Sequence, residues 1–188
     1  GTAPVLCANR ELPLDEVRRD EAVTQALAAG GIACRWFDER CLFAPGQIQT
    51  ASGDMFRVFT PFCRAWLRKL AAQGFSLASK LQPQGPALEW QAIQLDYAKQ
   101  SSQAWPVSER EVRERLWEFA QHKVVDYAQR RDLPALAGTS QLSPYLALGI
   151  LSVRQCLAAL QAALGGLPLE REQPGFSWLN ELVWREDD

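Results

Sequence analysis

The first 37 residues alternate short apolar runs with one amphipathic stretch. Val5–Ala8 and residues 32–37 are apolar runs typical of strands, and the first is expected to be buried. Between them, apolar side chains recur at helical spacing after an expected N-cap at Asp15, and Gly30-Gly31 marks the end. Strand, helix and strand in this order predict a βαβ unit. Because two strands do not make a covered parallel sheet, we expect the unit to lack its neighbouring strands.

Helical periodicity dominates the rest of the chain. One amphipathic helix is predicted around Phe62 and ends before Gly74. Residues 75–106 are rich in Pro, Gly, Ser and Gln without a sustained period, which predicts a long connection pinned in part by Trp90 and Trp105. Four serines stand where further helices are expected to begin: Ser108, Ser143, Ser152 and Ser177.

This pattern predicts a mainly α protein in three parts. Residues 1–62 form the end of a partial α/β layer, residues 63–106 a helix and an interdomain linker, and residues 107–188 an all-helical segment. We expect the Ser108-x-x-Glu111 and Ser152-x-x-Gln155 patterns to form capping boxes, which fixes the start of two of the helices.

Composition excludes several classes of site. The 20 Lys and Arg against 22 Asp and Glu give a net charge of −2, so the whole-chain charge offers no case for nucleic acid or an anionic membrane. The single histidine, His122, excludes His-rich metal sites, and we expect it to face solvent. Five cysteines without a C-x-x-C pair favour buried free thiols in a reducing cytoplasm.

We expect a cytoplasmic protein without a membrane span or a metal. Residues 1–4 lack the charged and apolar regions of a signal peptide. From Leu133 to Leu169 the only formal charge is Arg154, but prolines and glycines interrupt this stretch, so it is interpreted as two buried helices of a soluble protein.

Two segments are candidate binding sites, and each has a purely structural alternative. In residues 138–144 the hydroxyls of Thr139, Ser140 and Ser143 precede a helix start, where free N–H groups favour an anion; capping alone would also explain them. Trp178, Glu181 and Arg185 share one helical face, suited to an aromatic, phosphorylated ligand; a core Trp beside a structural ion pair is the alternative.

A third candidate lies at the end of a predicted helix. Tyr127 is followed there by Arg130, Arg131 and Asp132. Basic side chains in this position also complement the helix dipole without any ligand.

Several motifs in succession resemble the photolyase/cryptochrome family. They are residues 126–134 (DYAQRRDLP), 138–156 (GTSQLSPYLALGILSVRQC) and 178–186 (WLNELVWRE), preceded by 16–20 (EVRRD) and 53–62 (GDMFRVFTPF). The resemblance runs along nearly the whole chain in the family's order. It implies a Rossmann-like antenna-domain remnant, a linker and the first part of a helical FAD-binding domain.

The resemblance implies a class I photolyase, which repairs cyclobutane pyrimidine dimers in DNA by light-driven electron transfer from FAD. In this sequence, Glu181 and Trp184 would then face the flipped-out dimer, and Arg131 would hold a DNA phosphate. Asp15 and Glu16 would stand at the site of a folate (methenyltetrahydrofolate) antenna. The residues expected to contact FAD are Tyr127, Thr139, Ser140, Gln141, Leu142, Ser143, Trp178 and Arg185.

The sequence departs from the family pattern at particular positions. Gln141 replaces the usual Arg after Thr-Ser, and Asp187 with Asp188 stands where the family continues with aromatic residues. The chain resembles a central fragment that lacks the start of the antenna domain and the C-terminal half of the FAD domain, so we expect it to bind FAD weakly and to be inactive alone. A cryptochrome-type photoreceptor and a cofactor-free helical interaction fragment are the alternatives.

Overall fold

A parallel βαβ unit opens the chain and a helical core follows it. The computed structural model describes residues 4–38, 40–77, 94, 96–98 and 100–187. Strand β1 (Val5–Asn9) pairs in parallel with β2 (Ala33–Phe37), with Val5 opposite Ala33, and helix α1 (Leu14–Ala29) connects them. The predicted βαβ unit is confirmed.

Two details of this unit differ from the sequence prediction. Pro13, not Asp15, occupies the N-cap of α1, and Asp15 lies in its first turn. Strand β1 is exposed rather than buried, since Val5 is 47% and Leu6 36% exposed. Apolar content predicted the strand correctly, but burial also needs a packed layer on each face, and the described residues supply α1 alone.

Six helices complete the described fold. They are α2 (Phe59–Gln73), α3 (Glu109–His122), α4 (Tyr127–Arg130), α5 (Ser143–Ala147), α6 (Val153–Leu164) and α7 (Phe176–Asp187), with a 3₁₀ turn at Val124–Asp126. Helix α2 packs on α7, and α3 packs on α6. The fold is therefore mainly α with a small two-stranded sheet, as predicted.

The predicted helix starts are confirmed unevenly. Ser152 forms a complete capping box with Gln155 at α6. The Ser108 hydroxyl accepts the N–H of Glu111 and donates to the Glu111 carboxylate, but that carboxylate accepts no hydrogen bond from the Ser108 backbone, so this capping box is incomplete. Ser177 is not a cap, because α7 begins one residue earlier at Phe176.

Gly175 explains where α7 begins. Its φ is +85°, a value that side-chain-bearing residues rarely adopt, and an added Cβ would stand 2.8 Å from Leu164 Cδ1. A glycine at this position lets the chain pass close to α6 and then enter α7. Helix α7 is thereby held against the core.

One apolar cluster joins the segments before and after the predicted linker. It includes Leu42 and Trp66 from the N-terminal half and Leu157, Leu179 and Val183 from the C-terminal half. The predicted boundary between residues 62 and 63 falls inside α2, which contributes to this cluster. Residues 78–93 of the predicted linker, including Trp90, lie outside the described residues, as does Asp188.

The remaining sequence predictions concern cysteines, metals and membranes. All five cysteines are free, as expected, but only Cys63 and Cys156 are buried; Cys34 and Cys41 are partly buried and Cys7 is exposed. His122 is exposed, as predicted. Within the described ranges, His, Cys, Asp and Glu side chains form no group of three suited to a metal ion, and none of the helices has the length and apolarity needed to cross a membrane.

Candidate functional site

Trp178 supports the candidate site from inside the core. Only 3% of the residue is exposed, and its ring centroid lies 5.0 Å from that of Phe119. The same Phe119 meets Tyr127 edge-on, with centroids 5.9 Å apart and planes at 84°. Trp178 and Tyr127 therefore pack on one shared ring, and burial raises the pKa of the Tyr127 phenol. Little of the Trp178 surface remains for a ligand.

A contact between Glu181 and Arg131 joins two candidate sites that the sequence analysis treated separately. The Arg131 guanidinium donates a hydrogen bond to the Glu181 carboxylate, which joins α7 to the residue that follows α4. Both side chains are about one-third exposed, at 34% and 36%. The guanidinium carbon also lies 5.6 Å from the centre of the Tyr127 ring. The result is a phenol, a cation and a carboxylate that solvent reaches from one side.

The charges in this group stabilise each other. The hydrogen bond that Arg131 donates to Glu181 is the main cause of the raised pKa of Arg131. Glu181 in turn adds to the raised pKa of Tyr127, because a phenolate would stand near its negative charge. At neutral pH the Arg131 guanidinium is therefore charged and the Tyr127 hydroxyl is neutral.

Trp184 lies one turn beyond Glu181 and is partly open to solvent. It is 44% exposed, and its ring stacks on Phe59 with centroids 3.8 Å apart and planes at 14°. The indole borders an open cavity of about 620 Å³ that Thr60 and Asn180 also line. Phe59 comes from α2, so this stack is formed by residues 125 positions apart that the sequence analysis did not connect.

Arg185 faces a different side of α7. Its guanidinium donates to the carbonyl oxygen of Leu146 at 2.9 Å and so ties α7 to α5. It also lines two cavities, of about 570 and 130 Å³, that extend toward the βαβ unit. The three residues predicted to share one face therefore have different surroundings. Trp178 is buried in the core, Glu181 pairs with Arg131, and Arg185 lines these cavities.

The Thr-Ser turn has free hydroxyls but no shared cavity with α7. Thr139 and Ser143 are exposed and Ser140 is partly buried; in the described part of the chain none of their hydroxyls has a hydrogen-bond partner. Gln141 adopts a φ of +53°, and Leu142 is 1% exposed. Among the described residues, the cavities of about 620, 570 and 130 Å³ border α7, and the turn lines none of them.

The predicted antenna residues lie beside a cavity rather than in its wall. Asp15 is exposed and pairs with Arg18 at 3.3 Å, and Glu16 is partly buried in the same first turn of α1. Leu12 and Pro13, just before that turn, line the cavity of about 570 Å³. Its opposite wall is the end of α7.

Glu186 is a partly buried group that the sequence analysis did not single out. Its carboxylate accepts the backbone N–H of Leu42, the N–H of Phe43 at 3.5 Å and the indole N–H of Trp66 at 2.7 Å. Arg154 donates to the Leu42 carbonyl at 3.1 Å. Burial nevertheless raises the pKa of Glu186, because desolvation outweighs these bonds. Leu42 and Glu186 lie 144 positions apart, so no local sequence pattern predicts their contact.

A family model and curated relatives indicate the same protein family for this chain. Residues 2–85 match the family model described as DNA photolyase. The deoxyribodipyrimidine photo-lyase of Vibrio cholerae is 41% identical over 192 residues, which is 98% of this chain and 40% of that protein. The Escherichia coli protein of the same name is 38% identical, over 95% of this chain and 38% of that protein.

Solved structures agree with the sequence relatives. A bacterial class III photolyase from Agrobacterium tumefaciens matches 98% of this chain and 39% of its own, with a TM-score of 0.67 and 29% identity. A Synechocystis cryptochrome matches 95% of this chain and 39% of its own, with a TM-score of 0.63 and 23% identity, which shows the fold alone.

A mainly helical core that follows a parallel βαβ unit is thus shared with photolyases and cryptochromes. The chain belongs to the DNA photolyase/cryptochrome family. It spans about 40% of the length of the curated relatives named above.

Proposed function

We propose that this chain carries part of the FAD- and DNA-contacting surface of a cytoplasmic class I photolyase, a carbon–carbon lyase that repairs cyclobutane pyrimidine dimers. The observation that supports this most is the group formed by Tyr127, Arg131 and Glu181, with Trp184 one turn further along α7. It combines a carboxylate acceptor, a cation and an accessible indole within a short distance.

The DNA-facing roles follow from the chemistry of these side chains. A dimer reaches an enzyme only when it leaves the base stack, and it then needs an apolar wall and a few polar groups that read its edge. Trp184 supplies the wall and the Glu181 carboxylate accepts a thymine N–H. Because Arg131 is paired with Glu181 in the structure, binding of a DNA phosphate by Arg131 competes with that pair.

The FAD-facing residues fit the cofactor in part. Thr139, Ser140 and Ser143 present hydroxyls without other partners in the described part of the chain, and hydroxyls of this kind suit phosphate oxygens. Gln141, Leu142, Tyr127, Trp178 and Arg185 are the remaining proposed contacts. When bound, FAD supplies the light-driven electron. This chain's residues bind and orient the cofactor.

A folate antenna is proposed for the side of α7 that faces α1. Asp15 and Glu16 lie in the first turn of α1, and Leu12 and Pro13, just before that turn, line the cavity of about 570 Å³. We also propose that residues 1–62 are the end of the antenna domain and that residues 107–188 are the first part of the FAD-binding domain. Residues 63–106 would then be a helix and a linker between the two domains.

Dimer-selective DNA binding tests this proposal. The selectivity is the dissociation constant of an undamaged oligonucleotide divided by that of the same oligonucleotide with a single thymine dimer. We expect Glu181→Ala and Trp184→Ala each to lower this ratio about tenfold, because each removes a contact made only with the flipped dimer. Trp117→Ala, at a 48% exposed position on α3, is the matched control and should leave the ratio unchanged.

The same measurement separates the alternatives. A ratio near one in the unmodified chain would favour a cryptochrome-type photoreceptor, and an unchanged ratio in both variants would contradict the site assignment. The chain can also be mixed with FAD and passed through a gel-filtration column. Absorbance at roughly 450 nm that elutes with the protein would reject the alternative of a cofactor-free helical fragment.

A further inference from the structure

The Thr-Ser turn, residues 138–143, leads into a helix that is too short to hold its own conformation. Helix α5 has five residues, Ser143–Ala147, and helices this short are not stable by themselves in water. Gln141 adopts a φ of +53°, which costs free energy for a residue that carries a side chain. Groups outside the turn must therefore fix both the turn and α5.

Tyr145 connects α5 to the chain on both sides of it. Its backbone N–H donates to the Leu142 carbonyl at 3.1 Å. Its own carbonyl accepts the N–H groups of Ile150 at 2.9 Å and Leu151 at 3.2 Å. Only 2% of Tyr145 is exposed, so its position is set by what packs against its ring. A displacement of Tyr145 would also move Leu142 and the turn.

Arg115 and Trp105 pack on the Tyr145 ring from outside the turn. The guanidinium carbon of Arg115, on α3, lies 5.7 Å from the ring centre of Tyr145 and 5.7 Å from that of Trp105. The two rings are 6.4 Å apart, with planes at 51°. Arg115 Nη2 also donates to the Ala104 carbonyl at 3.3 Å. We call Trp105, Arg115 and Tyr145 the Arg115 stack.

Two buried polar atoms of the Arg115 stack have no hydrogen-bond partner among the described residues. They are Arg115 Nη1 and the hydroxyl oxygen of Tyr145. Because neither atom forms a hydrogen bond, contacts between the cation and the rings, together with the Ala104 bond, hold the stack. The ring of Tyr145, and not its hydroxyl, is therefore the part that Arg115 supports.

We infer that Arg115 is a positioning residue, which acts through the Tyr145 ring to hold the Thr-Ser turn in the conformation that binds phosphate. The choice of the FAD phosphates as the ligand of this turn rests on the proposed function. Arg115 and Trp105 lie outside the segments that resemble the family, so the resemblance assigns them no role. A role in folding alone would affect every flavin equally, whereas a positioning role affects flavins that carry phosphate.

Binding of FAD and of riboflavin, followed by flavin fluorescence, separates these two roles. FAD has a diphosphate and riboflavin has no phosphate, so only FAD depends on the turn. We expect Arg115→Ala to weaken FAD binding about tenfold, as is common for coupling between two sites, and riboflavin binding by less than about twofold. Tyr145→Phe retains the ring and should keep the FAD affinity of the unmodified chain. Tyr145→Leu, which removes the ring, should weaken FAD binding as Arg115→Ala does.

Arg113→Ala is the matched control for the lost charge. Arg113 lies on the same helix and pairs with Glu109 at 2.9 Å, so its removal should leave both affinities unchanged. Loss of FAD binding alone, in Arg115→Ala and Tyr145→Leu, would support the inference. Equal loss of FAD and riboflavin binding in Arg115→Ala, or no loss of either, would overturn it. Weaker FAD binding by Tyr145→Phe would also overturn it.

Amide hydrogen exchange tests the inference without a flavin. The N–H groups of Ile150 and Leu151, which bond to the Tyr145 carbonyl, should exchange faster in Arg115→Ala than in the unmodified chain or Arg113→Ala. If the unmodified chain binds no FAD, the proposed function fails at this turn and the exchange rates decide whether Arg115 positions it. Faster exchange confined to Arg115→Ala would support that role, and unchanged exchange would overturn it.

Discussion

At the scale of single residues, the structure separates side chains that keep solvent-exposed surface from side chains that are buried in the core. Glu181 and Trp184 keep exposed surface, whereas Trp178 and Leu142 are almost fully buried. The motif alone could not make this distinction, since all four lie in segments that resemble the family. Burial depends on what packs against each side chain, and for Trp178 that is Phe119.

Glu186 gives a pH prediction at this scale. Burial raises its pKa above the ordinary 4.5, so its stabilising contribution is complete below 4.5 and is lost as the pH rises through the folded-state pKa. The free energy of unfolding, measured with urea across this range, should therefore fall with rising pH more steeply in the unmodified chain than in Glu186→Gln. The exposed Glu172→Gln is the control and should keep the original slope. Parallel slopes for all three proteins would show that Glu186 does not titrate as described.

At the scale of helices and strands, local sequence signals located most elements. The βαβ unit, α2, α3 and α6 follow from periodicity and caps, because those signals act within a few residues. The start of α7 could not be predicted in the same way. Ser177 satisfies the sequence rule for an N-cap, but the packing of Gly175 on Leu164 sets the start one residue earlier than Ser177.

Gly175→Ala tests this packing. A Cβ at position 175 would clash with Leu164 at 2.8 Å and would impose a positive φ on alanine, so we expect a loss of about 2–4 kcal/mol in the free energy of unfolding. Gly166→Ala is the control, because no atom lies within 4 Å of its added Cβ and its φ is not positive. That variant should change stability by less than about 0.5 kcal/mol. Equal effects at the two positions would contradict the close approach of α7 to α6.

At the scale of the whole molecule, contacts between distant segments assemble the site. Arg131 meets Glu181 across 50 positions, Phe59 meets Trp184 across 125, and Leu42 meets Glu186 across 144. Motif resemblance correctly indicated the family, and it named Arg131, Glu181 and Trp184. It did not show that the first two pair, nor that α2 supplies the Phe59 ring on which Trp184 stacks. These facts depend on tertiary packing, which has no local sequence signal.

The affinity of the unmodified chain for a thymine-dimer oligonucleotide, relative to the same oligonucleotide without damage, measures whether the exposed surface of α7 recognises a dimer. If Arg131, Glu181 and Trp184 form a surface that reads a flipped dimer, the damaged strand binds at least about tenfold more tightly, as expected when one or two buried contacts are added. Equal affinity for the two strands would contradict the account.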